Sequence, residues 1–161
     1  MSISTIKENF WEGIIKIQKE AYTEIPPEDV SILKSIWLSS PKTCAVYLNS
    51  ESMVLAYLLA HPWASETPPK LNEKSPTSVS LKLYLHDLAL ADSARGKGIA
   101  KKLVENLIYN AKVQGFEKIL LVAVQNSIGF WGKFGFLNVP NVVISSSYGD
   151  NAQLMALELK T

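Results

Sequence analysis

The stretch HDLALADSARGKGIAKKLV, residues 86–104, decides how this chain reads. It begins like a strand, with the apolar run Leu88-Ala89-Leu90, and ends like an amphipathic helix. Between the two stand Ala91-Asp92-Ser93, then Arg95 and two close glycines, Gly96 and Gly98. Free N–H groups at a helix N-terminus point outward, and the helix dipole favours negative charge there. Glycine lets a bulky diphosphate reach the backbone without a Cβ in the way. Arg95, Lys97, Lys101 and Lys102 crowd positive charge onto the same end. Cations oppose the dipole at that position, and a bound anion removes the cost. The turn therefore points to a phosphate-bearing ligand. On the glycines alone, a plain turn with solvated lysines stands equally well.

Two familiar phosphate devices do not fit. A dinucleotide fingerprint needs a third Gly or Ala at its proper place and an acidic residue at the end of the next strand. Here the turn reads Gly-Lys-Gly-Ile-Ala-Lys, and Glu117 precedes the next strand. The GxxxxGK[ST] loop of nucleoside triphosphatases is absent.

Working outward, residues 98–114 place Ala100, Leu103, Val104, Leu107, Ile108 and Ala111 at helical spacing, and Gly115 stops the helix. Ile119–Val124 reads as a buried strand and Ser127–Phe134 as a short helix. Val139–Ser145 and Leu154–Leu159 read as two closing strands. Toward the N-terminus, Ser80–Leu90 is a strand. Cys44–Leu48 and Met53–Ala60 form a hairpin across Asn49-Ser50-Glu51-Ser52. Residues 8–22 carry Phe10, Ile14, Ile15 and Ile17 on a helix that Pro26-Pro27 ends. A second helix starts near Pro27, with Val30, Leu33, Ile36 and Trp37 on one face. Residues 62–79, rich in Pro, Ser, Glu and Lys, form a long loop of the kind that is functional or disordered. The order is α-α-β-β-β-α-β-α-β-β, with a place for a strand before the first helix. No internal repeat is visible.

Composition narrows the class. The 161 residues suit one domain, 1–161, and the 47% hydrophobic and 19% charged balance is globular. A net charge of +1 does not suggest nucleic acid as partner. The longest apolar run, Met53–Ala60, is too short to span a bilayer, so no membrane partner is expected. MSISTIKENF has no signal-peptide core. A single cysteine, Cys44, permits no internal disulfide and suits a reducing compartment; the cytoplasm is the expected location. Two histidines and one cysteine without ligand spacing give no metal site.

Arg95-x-x-Gly98-x-Ala100 resembles the R/Q-x-x-G-x-G/A signature of the GNAT N-acetyltransferases, between a strand and an amphipathic helix as in that family. Asn126-Ser127-Ile128-Gly129-Phe130-Trp131-Gly132-Lys133-Phe134-Gly135-Phe136 is similar to the family's Asn, short helix and Gly-Phe segment. The order of elements matches over nearly the whole chain, least well over 1–40. The resemblance implies an α+β fold, an α/β/α sandwich with a mixed, largely antiparallel sheet flanked by helices. It implies acetyl-CoA as cofactor, in a V-shaped gap between the strands at 80–90 and 118–125. The pantetheine arm would pair with the backbone of Leu88, Ala89 and Leu90, as an added strand does. The pyrophosphate would lie on the amides of Arg95, Gly96, Lys97, Gly98, Ile99, Ala100 and Lys101. Asn126 would hydrogen-bond the arm, and it also suits an N-cap of the next helix.

Acetyl transfer to an amine needs a base, because the amine is largely protonated at neutral pH. His86 and Asp87 are the two candidates. On a regular strand their side chains face opposite ways, and a bulge changes which one faces the cleft. His86, with an ordinary pKa of about 6.5, suits a base. Asp87 suits a base or an anchor for the amine. The Leu88 N–H suits the developing oxyanion. One departure stands out. Many family members carry a Tyr four residues before the Gly of the Gly-Phe pair, as acid toward the thiolate, and here that residue is Trp131. Indole is not a useful acid, so Trp131 reads as packing against the cofactor arm or within the core. Tyr84 and Tyr148 are substitutes without a supporting motif. Cys44 reads as core, and His61 and Trp63 as packing or as lining of an acceptor pocket.

The resemblance implies an acetyl-CoA-dependent N-acetyltransferase acting on a small-molecule amine or a peptide, and a monomer or homodimer is expected. A non-catalytic acyl-CoA-binding module of the same fold is the alternative. Acceptor contacts are expected from 22–40 and 62–79.

Overall fold

The computed structural model describes residues 2–23, 26–71, 73, 79–124 and 126–159. The middle of the long loop, 72 and 74–78, lies outside the described residues. Seven strands form one sheet: β1 (Ser2–Ser4), β2 (Ala45–Leu48), β3 (Val54–Pro62), β4 (Lys82–Leu90), β5 (Lys118–Ala123), β6 (Leu137–Asn138) and β7 (Gln153–Glu158). Their spatial order is β1-β2-β3-β4-β5-β7-β6. Among the described residues, only β4 and β5 run parallel, and every other pairing is antiparallel. The parallel pair needs a crossover, which α3 (Ile99–Val113) supplies.

Helix spacing sets which face each helix covers. α3 buries Leu103, Val104, Leu107 and Ala111 against Leu58, Leu83, Leu85 and Ile119 on one face of the sheet. α1 (Trp11–Ala21) and α2 (Val30–Ser39) cover the opposite face, where Ile14, Leu33 and Ile36 meet Val46, Tyr57 and Leu59. Leu33, Leu59 and Leu83 are fully buried, and each such side chain contributes about 1.5–3 kcal/mol. α2 begins at Val30 and not near Pro27, because the Asp29 carboxylate accepts the Ser31 N–H at 2.8 Å and caps it.

One expected strand is absent. Val139–Ser145 is irregular, and β6 keeps only Leu137–Asn138. Pro140 has no N–H to give a ladder, and Asn141 sits at φ 63°, outside strand geometry. Val139, Val142 and Ile144 still pack inward, onto Tyr84, Leu120 and Leu154. The alternation that reads as a strand thus serves a loop with one buried side.

Two irregularities build the site. β4 and β5 pair only from Lys82–Lys118 to Leu85–Leu121, and past those pairs they are no longer joined. On its other side β4 slips register against β3: Leu59 faces Asp87 while Ala60 faces Leu85. His86 is therefore the extra residue of a β-bulge, at the point where the β4–β5 pairing ends.

Candidate active site

A cavity of about 480 Å³ opens beside the bulge. Leu88, Ala89 and Leu90 of β4 form one wall, and Leu121, Val122 and Val124 of the β5 limb form another. Arg95, Gly96 and Ala100 lie at one end. Gln18, Tyr22, Pro26, Glu28, Leu71 and Tyr148 line it as well. The segments at 22–40 and 62–79 do contribute, through Tyr22, Pro26, Glu28 and Leu71.

The glycine turn has the geometry its sequence promises. Gly96 and Gly98 have φ of 77° and 74°, in the left-handed region that favours glycine, and Gly98 is the N-cap residue of α3. No heavy atom lies within 4 Å of where a Cβ would stand on either. The first helical N–H groups after Gly98, those of Ile99, Ala100 and Lys101, have no partner inside the helix by its geometry. Lys97 and Lys101 are exposed beside them, while the Ile99 side chain is buried in the core under α3. An open backbone cradle, orphan amides and surrounding cations fit a diphosphate. Acyl-CoA therefore suits the residues present. Lys97, Gly98, Ile99 and Lys101 do not themselves line the cavity; they border its Arg95–Ala100 end.

α4 (Ile128–Gly132) carries Trp131, which is buried, stacks edge-on against Phe130 and Phe136, and lines the cavity. It serves packing and cavity wall together. Asn126 is exposed at φ 63° and lies outside the cavity lining; Ser127, not Asn126, holds the N-cap position of α4.

The bulge brings His86 and Asp87 to the same face of the sheet, the one covered by α1 and α2. Asp87 is buried beneath Tyr22 and Tyr57. The Tyr57 hydroxyl donates to Oδ2 at 2.7 Å. The Tyr22 hydroxyl oxygen lies 2.5 Å from Oδ1 and 2.9 Å from the Leu88 carbonyl oxygen. The Tyr22 hydroxyl donates, and its one proton is shared between the Asp87 carboxylate and the Leu88 carbonyl. Burial pushes Asp87 up to about 6, against the two tyrosine hydrogen bonds that favour the carboxylate.

His86 lines the cavity, and its side chain is only 1% exposed to bulk solvent. Its Nε2 lies 2.7 Å from Oε1 of Glu28, a buried carboxylate on the segment between α1 and α2. Its Nδ1 is buried with no hydrogen-bond partner. Burial pushes the imidazole pKa down, but the Glu28 carboxylate, helped by Asp87, wins and holds it above the usual histidine value. Behind it stands His61, ring centroid 6.0 Å away, whose Nδ1 lies 2.9 Å from the Pro62 carbonyl oxygen. Burial, then the charge of His86, pushes His61 down to about 4. Neither His61 nor Trp63 lines the cavity.

The substitute tyrosines are committed elsewhere. The Tyr148 hydroxyl donates to the Pro69 carbonyl, and the Tyr84 hydroxyl, 2.9 Å from that of Tyr148, donates to it in turn. Burial raises both, and with each hydroxyl hydrogen already given to a partner neither has one turned toward a thiolate. Their work is to pin the loop at Pro69, which sets Leu71 in the wall. Cys44 is core: burial pushes its thiol up to about 12.

Asp87 also supports the fold. Asp87→Ala leaves the buried Tyr57 hydroxyl without its acceptor, and we expect a stability loss of about 2 kcal/mol in urea titration. A loss below about 0.5 kcal/mol would show that the hydroxyl finds another partner. The folded state holds the Asp87 proton more tightly than the unfolded chain, whose ordinary value is 3.8. Its contribution is therefore full below that value and is lost as pH rises through about 6. The stability of the wild type relative to Asp87→Asn should fall across that window.

Comparisons agree with this geometry. The model of the acetyltransferase (GNAT) family matches residues 11–136. Ard1 from Thermoplasma volcanium superposes with a TM-score of 0.77 at 17% identity, over 99% of this chain and 98% of that one. The NatC complex bound to Gag peptide and CoA gives a TM-score of 0.77 at 20% identity, over 99% of this chain and 98% of the other. GphF, a GNAT-like decarboxylase in complex with isobutyryl-CoA, gives 0.75 at 13% identity, over 99% and 100%. At these identities the likeness is one of fold. No curated protein matched the chain.

Proposed function

The chain belongs to the GNAT acetyltransferase family, and from that premise we propose that it is an N-acetyltransferase, a single domain over 1–161 that moves an acetyl group from acetyl-CoA to a primary amine by direct attack. The observation that carries this reading is the bulge at His86. It sets an imidazole with an unpartnered Nδ1 beside the end of the β4–β5 pairing. Acetyl-CoA supplies the acyl group as an activated thioester. The protein supplies the rest. The amides at Gly96–Lys101 and the charge of Arg95 hold the diphosphate. Leu88–Leu90 offer backbone for the pantetheine arm, with Asn126 at the rim and Trp131 as wall. The Leu88 N–H suits the negative charge that develops on the carbonyl oxygen. His86 Nδ1 takes the amine proton, while Asp87, closed off by two tyrosines, holds the strand and Tyr22 in place.

The acceptor is a small-molecule amine or a peptide, and the NatC neighbour with its bound peptide puts peptides on the panel to be screened. The expected setting is the cytoplasm, as monomer or homodimer. Trp131, in the place of the family's acid, favours a second reading: an acyl-CoA-binding module without turnover. Free-thiol release from acetyl-CoA with amines and peptides decides between them. Acceptor-dependent release is the expected result. Tight CoA binding with no release above the uncatalysed rate for any acceptor would leave only the second reading.

A further inference from the structure

We propose that Glu28 is the positioning residue of the base: it holds the proton of neutral His86 on Nε2, so that Nδ1 carries the lone pair that receives the amine proton. This rests on the transferase reading for its kinetic consequences, but not for its structural ones. Two observations carry it. Nε2 sits 2.7 Å from the Glu28 carboxylate, with His86 and Glu28 side chains 1% and 6% exposed. A carboxylate only accepts, so the nitrogen facing it must carry hydrogen. Nδ1 is buried and has no partner. A buried polar atom left unsatisfied costs about 1–3 kcal/mol, and here it is the atom a base must keep free.

The orientation has a further consequence. Glu28 comes from the segment that also sets Tyr22 and Pro26 in the cavity wall. The base is therefore completed by the acceptor side of the molecule, and not by β4 alone. In the transfer step the lone pair of the amine nitrogen forms the new N–C bond. One N–H bond breaks, with its proton going to Nδ1 and its electron pair staying on nitrogen. The C–S bond breaks with its pair on sulfur, so that coenzyme A leaves as the thiolate and takes a proton from water. The imidazolium so formed donates through Nε2 to Glu28, a charge-assisted pair. The other groups facing the imidazole do not replace Glu28. Asp87 on β4 is occupied by Tyr22 and Tyr57, His61 on β3 stays neutral, and the Tyr84 hydroxyl is turned to Tyr148.

Nitrogen-15 NMR of imidazole-labelled protein tests this without any turnover. In the wild type, neutral His86 should show its proton on Nε2. In Glu28→Gln the titration of His86 should move to lower pH, since burial then acts against a weaker partner. A neutral wild-type His86 with its proton on Nδ1 overturns the proposal, whether or not the variant folds. So does an unchanged titration in folded Glu28→Gln. With an acceptor in hand, kcat of Glu28→Gln should fall at least about tenfold, a part of the 10²–10⁴ that a positioned base supplies. The acid limb of kcat/KM should shift to lower pH. A correct tautomer with no transfer to any amine leaves the pair standing and removes the transferase reading.

Discussion

Gly98→Glu should abolish measurable CoA binding while the protein stays folded. Gly98 holds φ 74° at the N-cap of α3, and the position a Cβ would take is open space. A side chain there meets no clash, so the structural cost is the left-handed backbone alone, on the order of 1 kcal/mol. The functional cost is larger. The orphan amides of Ile99, Ala100 and Lys101 attract an anion, and a tethered carboxylate would occupy them before any diphosphate could. Hydrogen bonds to charged groups contribute about 1.5–3 kcal/mol each. Losing two of them, with a like charge added, weakens binding by more than about a hundredfold. Gly98→Ala separates the effects, since it carries the backbone strain and no charge. It should lose less than about tenfold. Calorimetric titration with CoA measures both. Unchanged affinity in Gly98→Glu would mean that the diphosphate does not lie on this turn.

That the turn, the strand before it and the helix after it are legible follows from their being local. Left-handed glycines, a period of 3.6 and an apolar run are written in consecutive residues, and each survives folding unchanged. The same holds for α1, the β2–β3 hairpin and β5. Val139–Ser145 misleads because alternation reports which side chains turn inward, not whether the backbone pairs. Pro140 is the residue that speaks against pairing. The bulge at His86 is invisible along β4, because it exists only as a register slip against β3. Without it His86 and Asp87 could not share a face. Glu28 lies beyond any sequence pattern for a related reason. Its partner stands 58 residues away, and Glu28-Asp29 after two prolines reads as a helix start. Only Asp29 keeps that role. Tyr22 and Tyr57 likewise meet Asp87 across 65 and 30 residues. The cofactor end of the site is thus readable in sequence, and the catalytic end is assembled by tertiary contacts.

His86→Gln should then lower kcat by about 10²–10⁴, the range a positioned general base supplies. Gln is the better first variant, because it can still donate to the buried Glu28 carboxylate. His86→Ala would remove the imidazole from a buried charge, and breaking such a pair costs about 3–5 kcal/mol of stability. The pH profile carries the sharper test. The neutral imidazole is the base, so kcat/KM of the wild type rises with pH. Glu28 holds the imidazole above the ordinary histidine value of 6.5, so the limb should lie above that value too. In His86→Gln the limb should vanish. Asp87 titrates close by, at about 6, and two coupled groups give a limb that belongs to the pair. Asp87→Asn resolves them. Its loss removes a charge that favours the imidazolium, so the limb should persist and move slightly to lower pH. Should the limb survive in His86→Gln and disappear in Asp87→Asn, the base is Asp87, and its two tyrosines must open to expose it. Wild-type rates and profiles in both variants would place the base outside the bulge altogether.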